Sequence, residues 1–172
     1  MRNLEAKFRL SDLDAARAAA LGLGYSVRES FTQRDTFFKV ARGKLKLREQ
    51  PPDTWLIHYE REAESGLMLS RYEIVPVADA EGTRVMLARA LGVLAEVRKH
   101  RELLTRRNVR LHLDRVETLG GFGEIEAILG DGRHESTGVD ALRPAVDELL
   151  DALGVGAGDL IDVSYFELMT RD

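Results

Sequence analysis

The sequence predicts an α+β fold: a closed eight-stranded antiparallel β-tunnel, a barrel in form, with helices packed outside it. Three observations lead there. Strand-length segments that alternate charged and apolar side chains recur five times, and a period of two places charge on one face and hydrocarbon on the other. Three segments of helical spacing carry apolar stripes that need a surface to cover. The element order does not alternate regularly between strand and helix, which argues against a parallel sheet.

Taken in order, residues 4–10 form the first strand. Ser11 or Asp12 then caps a helix over 12–21, with Leu13, Ala16, Ala20 and Leu21 at helical spacing and Gly22 and Gly24 behind it. Strands follow at about 25–40, 44–49, 54–61 and 70–76, joined by Ala41-Arg42-Gly43, Gln50-Pro51-Pro52-Asp53 and Glu64-Ser65-Gly66. A second helix fits 79–91, its stripe drawn from Val85, Leu87, Ala88 and Leu91. Strands return at about 93–102, 108–116 and 122–129, the last two separated by Leu119-Gly120-Gly121. A third helix fits 139–153, on Val139, Leu142, Val146, Leu149, Leu150 and Leu153. Residues 162–169 read as a short helix or a strand.

The charged faces are specific. Glu5, Lys7 and Arg9 oppose Leu4, Ala6, Phe8 and Leu10; Lys44, Lys46 and Arg48 oppose Leu45 and Leu47. Lys99 and Arg101 share a face with Val97. Arg110, His112 and Asp114 oppose Val109, Leu111 and Leu113, and Glu124 and Glu126 oppose Ile125, Ala127 and Leu129. On any one strand this is the pattern of a sheet with one solvated side. If the helices cover the apolar faces and the sheet curls closed, the same charges line a tunnel, and closure removes the sheet edges. Charges so enclosed need partners. A polyanion bridged by a divalent cation would satisfy both signs, with Lys and Arg on phosphate oxygens and carboxylates on the metal.

Composition narrows the rest. The chain has 172 residues, 44% hydrophobic and 31% charged, without repeat or compositional break, so one domain over 1–172 is expected. A net charge of -4 argues against nucleic acid as partner, and the few aromatics have mostly apolar neighbours, unlike an RNA-binding barrel. With no cysteine, disulfides, thiolate catalysis and Cys-type metal sites are excluded. No signal peptide or apolar membrane-length stretch is visible, so a cytoplasmic protein with no membrane partner is expected.

An ordered set of motifs then carries a family resemblance. It comprises Glu5 with Lys7, Gln33-Arg34-Asp35-Thr36-Phe37-Phe38, Gly43-Lys44-Leu45-Lys46-Leu47-Arg48-Glu49 and Leu56-Ile57-His58-Tyr59-Glu60-Arg61. It continues with Val97-Arg98-Lys99-His100-Arg101, His112-Leu113-Asp114-Arg115-Val116, Leu119-Gly120-Gly121-Phe122-Gly123-Glu124-Ile125-Glu126 and Ser164-Tyr165. The chain resembles the CYTH domain proteins, or triphosphate tunnel metalloenzymes, and most of all their class IV adenylyl cyclase branch.

The resemblance implies that Glu5, Asp114, Glu124 and Glu126 hold Mg²⁺ or Mn²⁺. It implies that Lys7, Lys46, Arg48, Arg61, Lys99, Arg101 and Arg110 bind a triphosphate, with Lys7, Arg48, Lys99 and Arg101 acting in catalysis. Tyr59 is a candidate substrate contact, His112 a hydrogen-bonding residue and His58 a structural one, while Lys44 is placed where it can project into solvent. Phe37, Phe38, Trp55 and Phe122 read as core. The family's first motif carboxylate is replaced by Asn3, which lacks the unit charge. The implied substrate is a small triphosphate (ATP, tripolyphosphate or thiamine triphosphate), cyclised to cyclic AMP or hydrolysed, and a homodimer is compatible with the chain. A non-catalytic triphosphate-binding module is the alternative.

Overall fold

The computed structural model describes residues 2–64, 67–129 and 139–170, with side chains described outside 2–5, 61–64, 67–72, 128–129, 139–141 and 157. The order of elements is β1 (Arg2–Leu10), α1 (Leu13–Gly22), β2 (Ser26–Phe38), β3 (Lys44–Gln50), β4 (Asp53–Glu64) and β5 (Leu67–Pro76). It continues α2 (Ala80–Leu91), β6 (Val93–Arg106), β7 (Val109–Val116), β8 (Gly120–Leu129), α3 (Val139–Ala152), a 3-10 turn at Ala157–Asp159 and α4 (Tyr165–Thr170).

The strands make one eight-stranded antiparallel sheet in the hydrogen-bonded order β1-β8-β7-β6-β2-β3-β4-β5. The expected α+β class and strand count therefore hold. β1 and β5 end the order, and among the described residues no hydrogen-bonded ladder joins them.

The chain divides into two compact units, Met1–Ser30 with His100–Val163 and Phe31–Lys99 with Ser164–Asp172. In the first, the apolar backs of β1, β7 and β8 supply Phe8, Val109, Leu111, Leu113, Ile125 and Ala127 to a core that Leu104 also enters. Ala16 and Ala20 of α1 and Leu142, Val146 and Leu149 of α3 cover it. α1 starts at Asp12, whose carboxylate accepts from the backbone N–H groups of Asp14 at 3.0 Å and Ala15 at 2.9 Å. Gly123 is required by a close approach: a Cβ there would lie 2.2 Å from the ring of Phe8.

The second unit centres on Phe37, Phe38, Leu47, Ile57, Tyr59 and Val97, all buried. Here α2 differs from its expected packing. None of its residues is buried, and Val85 and Leu91 are exposed. The half-buried side is instead Ala80, Thr83, Arg84, Leu87 and Ala88, a stripe rotated so that Arg84 reaches Glu49 of β3. An arginine stem covers apolar surface as well as an aliphatic residue does, so hydropathy alone misplaces the face.

The C-terminal segment, open between helix and strand, is helix α4. Ser164 and Glu167 start it with reciprocal bonds: Ser164 N–H donates to the Glu167 carboxylate at 2.8 Å, and Glu167 N–H donates to Ser164 Oγ at 3.3 Å.

Candidate functional site

In the first unit the strand register builds cross-strand rows from the charged faces. Lys7 of β1 lies opposite Glu124 of β8, which lies opposite His112 of β7; Glu5, Glu126 and Arg110 form the next such row. Lys7 Nζ is 3.8 Å from Glu124 Oε1, and Arg110 Nη1 is 3.7 Å from Glu126 Oε2.

Arg101 ties the acids together. Its Nε and Nη2 donate to the two oxygens of Asp114, each at 2.6 Å, and Nη2 also donates to Glu124 Oε2 at 2.8 Å. This is the bidentate fork that a guanidinium makes with a carboxylate. Asp114 is 0% exposed and His112 8%, whereas Arg110 is exposed. Among the described residues His112 Nδ1 is buried without a hydrogen-bond partner, and it sits 3.8 Å from Glu124 Oε2.

The donor set fits a divalent cation in its chemistry. Asp114 and Glu124 bring hard carboxylate oxygens to one place, and a buried imidazole nitrogen beside them has no hydrogen-bond partner among the described residues. In this arrangement Arg101 supplies the positive charge. Among the described residues no three His, Asp or Glu side chains converge into a preformed metal cage. Glu126 is turned to Arg110. The Glu5 side chain lies outside the described ones, as does that of Asn3.

The second unit carries its own charge cluster, built around an acid that the sequence reading had left without a role. Asp35 of β2 faces Arg48 of β3 across the ladder, and Phe37 faces Lys46. The Asp35 carboxylate accepts from Lys46 Nζ at 2.8 Å, Arg48 Nε at 2.8 Å, Arg48 Nη2 at 2.7 Å and the Gln33 amide at 3.1 Å. Burial pushes its pKa up, but the bonds and charges of Arg48 and Lys46 outweigh this and hold it well below the usual carboxylate range. The Lys46 ammonium also lies 5.5 Å from the Phe37 ring centre and 5.8 Å from that of Tyr59.

Lys99 is 7% exposed, and its ammonium sits 5.2 Å from the ring centre of Tyr165 in α4. Lys44 does not run free into solvent: it pairs with Glu167 at 3.2 Å and lies over the Phe166 ring. Bonds from the Ser164 hydroxyl and backbone and from Lys44 outweigh partial burial and lower Glu167 to about 2. His58 bonds the Arg42 carbonyl at 3.1 Å, in keeping with a structural role. Arg61 lies in β4 opposite Ser70, with its side chain outside the described ones.

The structure thus groups Lys7, Arg101, Asp114 and Glu124, sets Arg110 with Glu126 beside them, and gathers Lys46 and Arg48 on Asp35. Sequence reasoning places Gln33, Asp35 and Ser164 in motifs without giving them a role, and it misses Glu167. Parity along the Gln33-Arg34-Asp35 stretch and the Ser-x-x-Glu spacing were the signals available for them.

Comparison with known proteins bears on the fold and the family. The family model of the CYTH domain matches residues 1–161. A Methanocaldococcus jannaschii protein named a "putative adenylate cyclase" is 25% identical over 178 residues, covering 98% of each chain. A Pyrococcus horikoshii structure superposes with a TM-score of 0.75 at 23% identity, over 97% of this chain and 99% of that one. A Hippeastrum structure, described as that of a "putative adenylyl cyclase" with a dominant triphosphatase activity, gives a TM-score of 0.65 at 17% identity, over 97% and 94% of the two chains. At such identities the two structural likenesses establish the fold.

Proposed function

Because the chain belongs to the CYTH domain family, the triphosphate tunnel metalloenzymes, we propose that it is a metal-dependent enzyme that hydrolyses a small triphosphate. The observation that carries this reading is the burial of charge. A solvated sheet face would leave its charges exposed, yet Lys99, Asp114, His112 and Asp35 are all buried. Enclosing that many ionisable groups is a poor route to stability, whereas clusters of this kind suit a charged ligand. The reading includes closure of the eight-stranded sheet into a tunnel, and a cytoplasmic protein that works as a monomer or homodimer.

Lys7, Lys46, Arg48, Arg61, Lys99, Arg101 and Arg110 are assigned to the triphosphate, Arg through paired N–H donors and Lys as point charges. Glu5, Asp114, Glu124 and Glu126 would hold Mg²⁺ or Mn²⁺. When bound, such an ion supplies Lewis-acid neutralisation of the phosphate oxygens. Water attacks the terminal phosphorus, the bond to the bridging oxygen breaks, and orthophosphate and the shortened chain leave. Lys7, Arg48, Lys99 and Arg101 stabilise the charge that passes to the leaving phosphate, each at about 10²-fold in turnover.

The name of the Methanocaldococcus relative favours a second reading, cyclisation of ATP, in which the ribose 3′-oxygen attacks the α-phosphorus and pyrophosphate leaves. Incubation of the protein with ATP, tripolyphosphate or thiamine triphosphate, with Mg²⁺ or Mn²⁺, separates them. Orthophosphate supports hydrolysis, and cyclic AMP with pyrophosphate supports cyclisation. Tight binding without any product would replace both with a non-catalytic triphosphate-binding module.

A further inference from the structure

We propose that Asp35 is a positioning residue, which fixes Lys46 and Arg48 in one mutual geometry for a triphosphate. The inference rests on the triphosphate reading above but adds a residue and a task to it. The single carboxylate of Asp35 holds three nitrogens of two cations together with the Gln33 amide. It is 6% exposed, while the Arg48 side chain is 30% exposed. The acid is therefore shut away and its partner reaches outward.

The geometry explains why an anion would benefit. A free lysine or arginine side chain samples many rotamers and loses that freedom on gripping a ligand. Here the cost is met on folding. The Asp35 carboxylate takes two of the five N–H donors of Arg48 and fixes the plane of the guanidinium. Lys46 is held by a bond to Asp35, and the Phe37 and Tyr59 rings lie close to its ammonium. Adjacent strands carry the three residues, so the spacing of the two cations is set by the sheet.

A bare counterion would act oppositely. If Asp35 only neutralised Lys46 and Arg48, it would compete with the anion, and removing its charge would tighten binding.

The test is calorimetric titration of inorganic tripolyphosphate with Mn²⁺ into the full chain, comparing wild type with Asp35→Asn and Asp35→Glu. Positioning predicts affinity weakened about tenfold or more by Asp35→Asn, and weakened also by Asp35→Glu, which keeps the charge but displaces it by a methylene. It further predicts that Lys46→Met costs less affinity in the Asp35→Asn background than in wild type, a coupling that a merely structural acid would not produce. Unchanged or tighter binding by a folded Asp35→Asn overturns the proposal. Should Asp35→Asn not fold, unchanged binding by Asp35→Glu overturns it equally. Failure of the wild type to bind tripolyphosphate would instead remove the triphosphate reading on which the proposal stands.

Discussion

Arg101→Met takes two N–H bonds away from the enclosed carboxylate of Asp114. Asp114 is 0% exposed and receives two N–H bonds from Arg101 at 2.6 Å each, and a third bond runs from Arg101 to Glu124 at 2.8 Å. Each charge-assisted bond is worth roughly 1.5–3 kcal/mol, and Asp114 keeps its buried charge after they are lost. Removing one partner of a buried pair costs about 3–5 kcal/mol. Lys7 remains 3.8 Å from Glu124 and offsets part of the loss, so the lower end, about 3 kcal/mol, applies. For a chain of this size that lowers the melting temperature by roughly 6–12 °C. Adding Asp114→Asn removes that buried charge, so the double variant should regain part of the loss. Circular dichroism melts of the three proteins at neutral pH measure this. A fall of less than about 2 °C for Arg101→Met, or a double variant no better than the single, would refute the argument.

Acid should destabilise the protein through specific groups. Asp35 and Glu167 both have folded pKa values below their ordinary ones of 3.8 and 4.5, so each adds stability above the ordinary value that is lost as pH falls through the folded one. Melting temperature should therefore begin to fall on these groups' account below about pH 4.5, with the share of Glu167 gone near its folded value of about 2; an Asp35→Asn variant with an unchanged acid slope would contradict this. Gly123→Ala should cost about 1–3 kcal/mol in urea unfolding, because the Phe8 ring that the new methyl meets is itself 0% exposed and cannot yield. Glu126→Gln should cut Mn²⁺-dependent turnover about 10²-fold or more while moving stability by less than about 1 kcal/mol, since its ion pair with the exposed Arg110 is weak. Full activity in Glu126→Gln would place the metal on other residues.

The architecture was legible where one physical rule dominates. Lys44, Lys46 and Arg48, or Arg110, His112 and Asp114, alternate with hydrocarbon at the strand period, and the strands lie where that period runs. What escaped depended on distance along the chain or on register. Asp35 looks like an isolated charge between Arg34 and Thr36, and only the ladder that sets it against Arg48 shows its work. Lys44 was placed by its position at a strand start, but its partner Glu167 lies 123 residues away. Of the expected α2 stripe, Leu87 and Ala88 lie on the half-buried side while Val85 and Leu91 are exposed, and the stem of Arg84 lies on that half-buried side instead. The tail was ambiguous because six helical residues are too short for a period to show, although Ser164 and Glu167 spell its start.

Titration of tripolyphosphate into the wild-type protein, with and without Mn²⁺, bears most directly on the central claim. The account predicts one site per chain, an affinity that rises when the ion is present, and a preference for tripolyphosphate over orthophosphate, because seven cations are assigned to a chain of three phosphates. Equal and weak uptake of both anions, at several sites and indifferent to Mn²⁺, would contradict it.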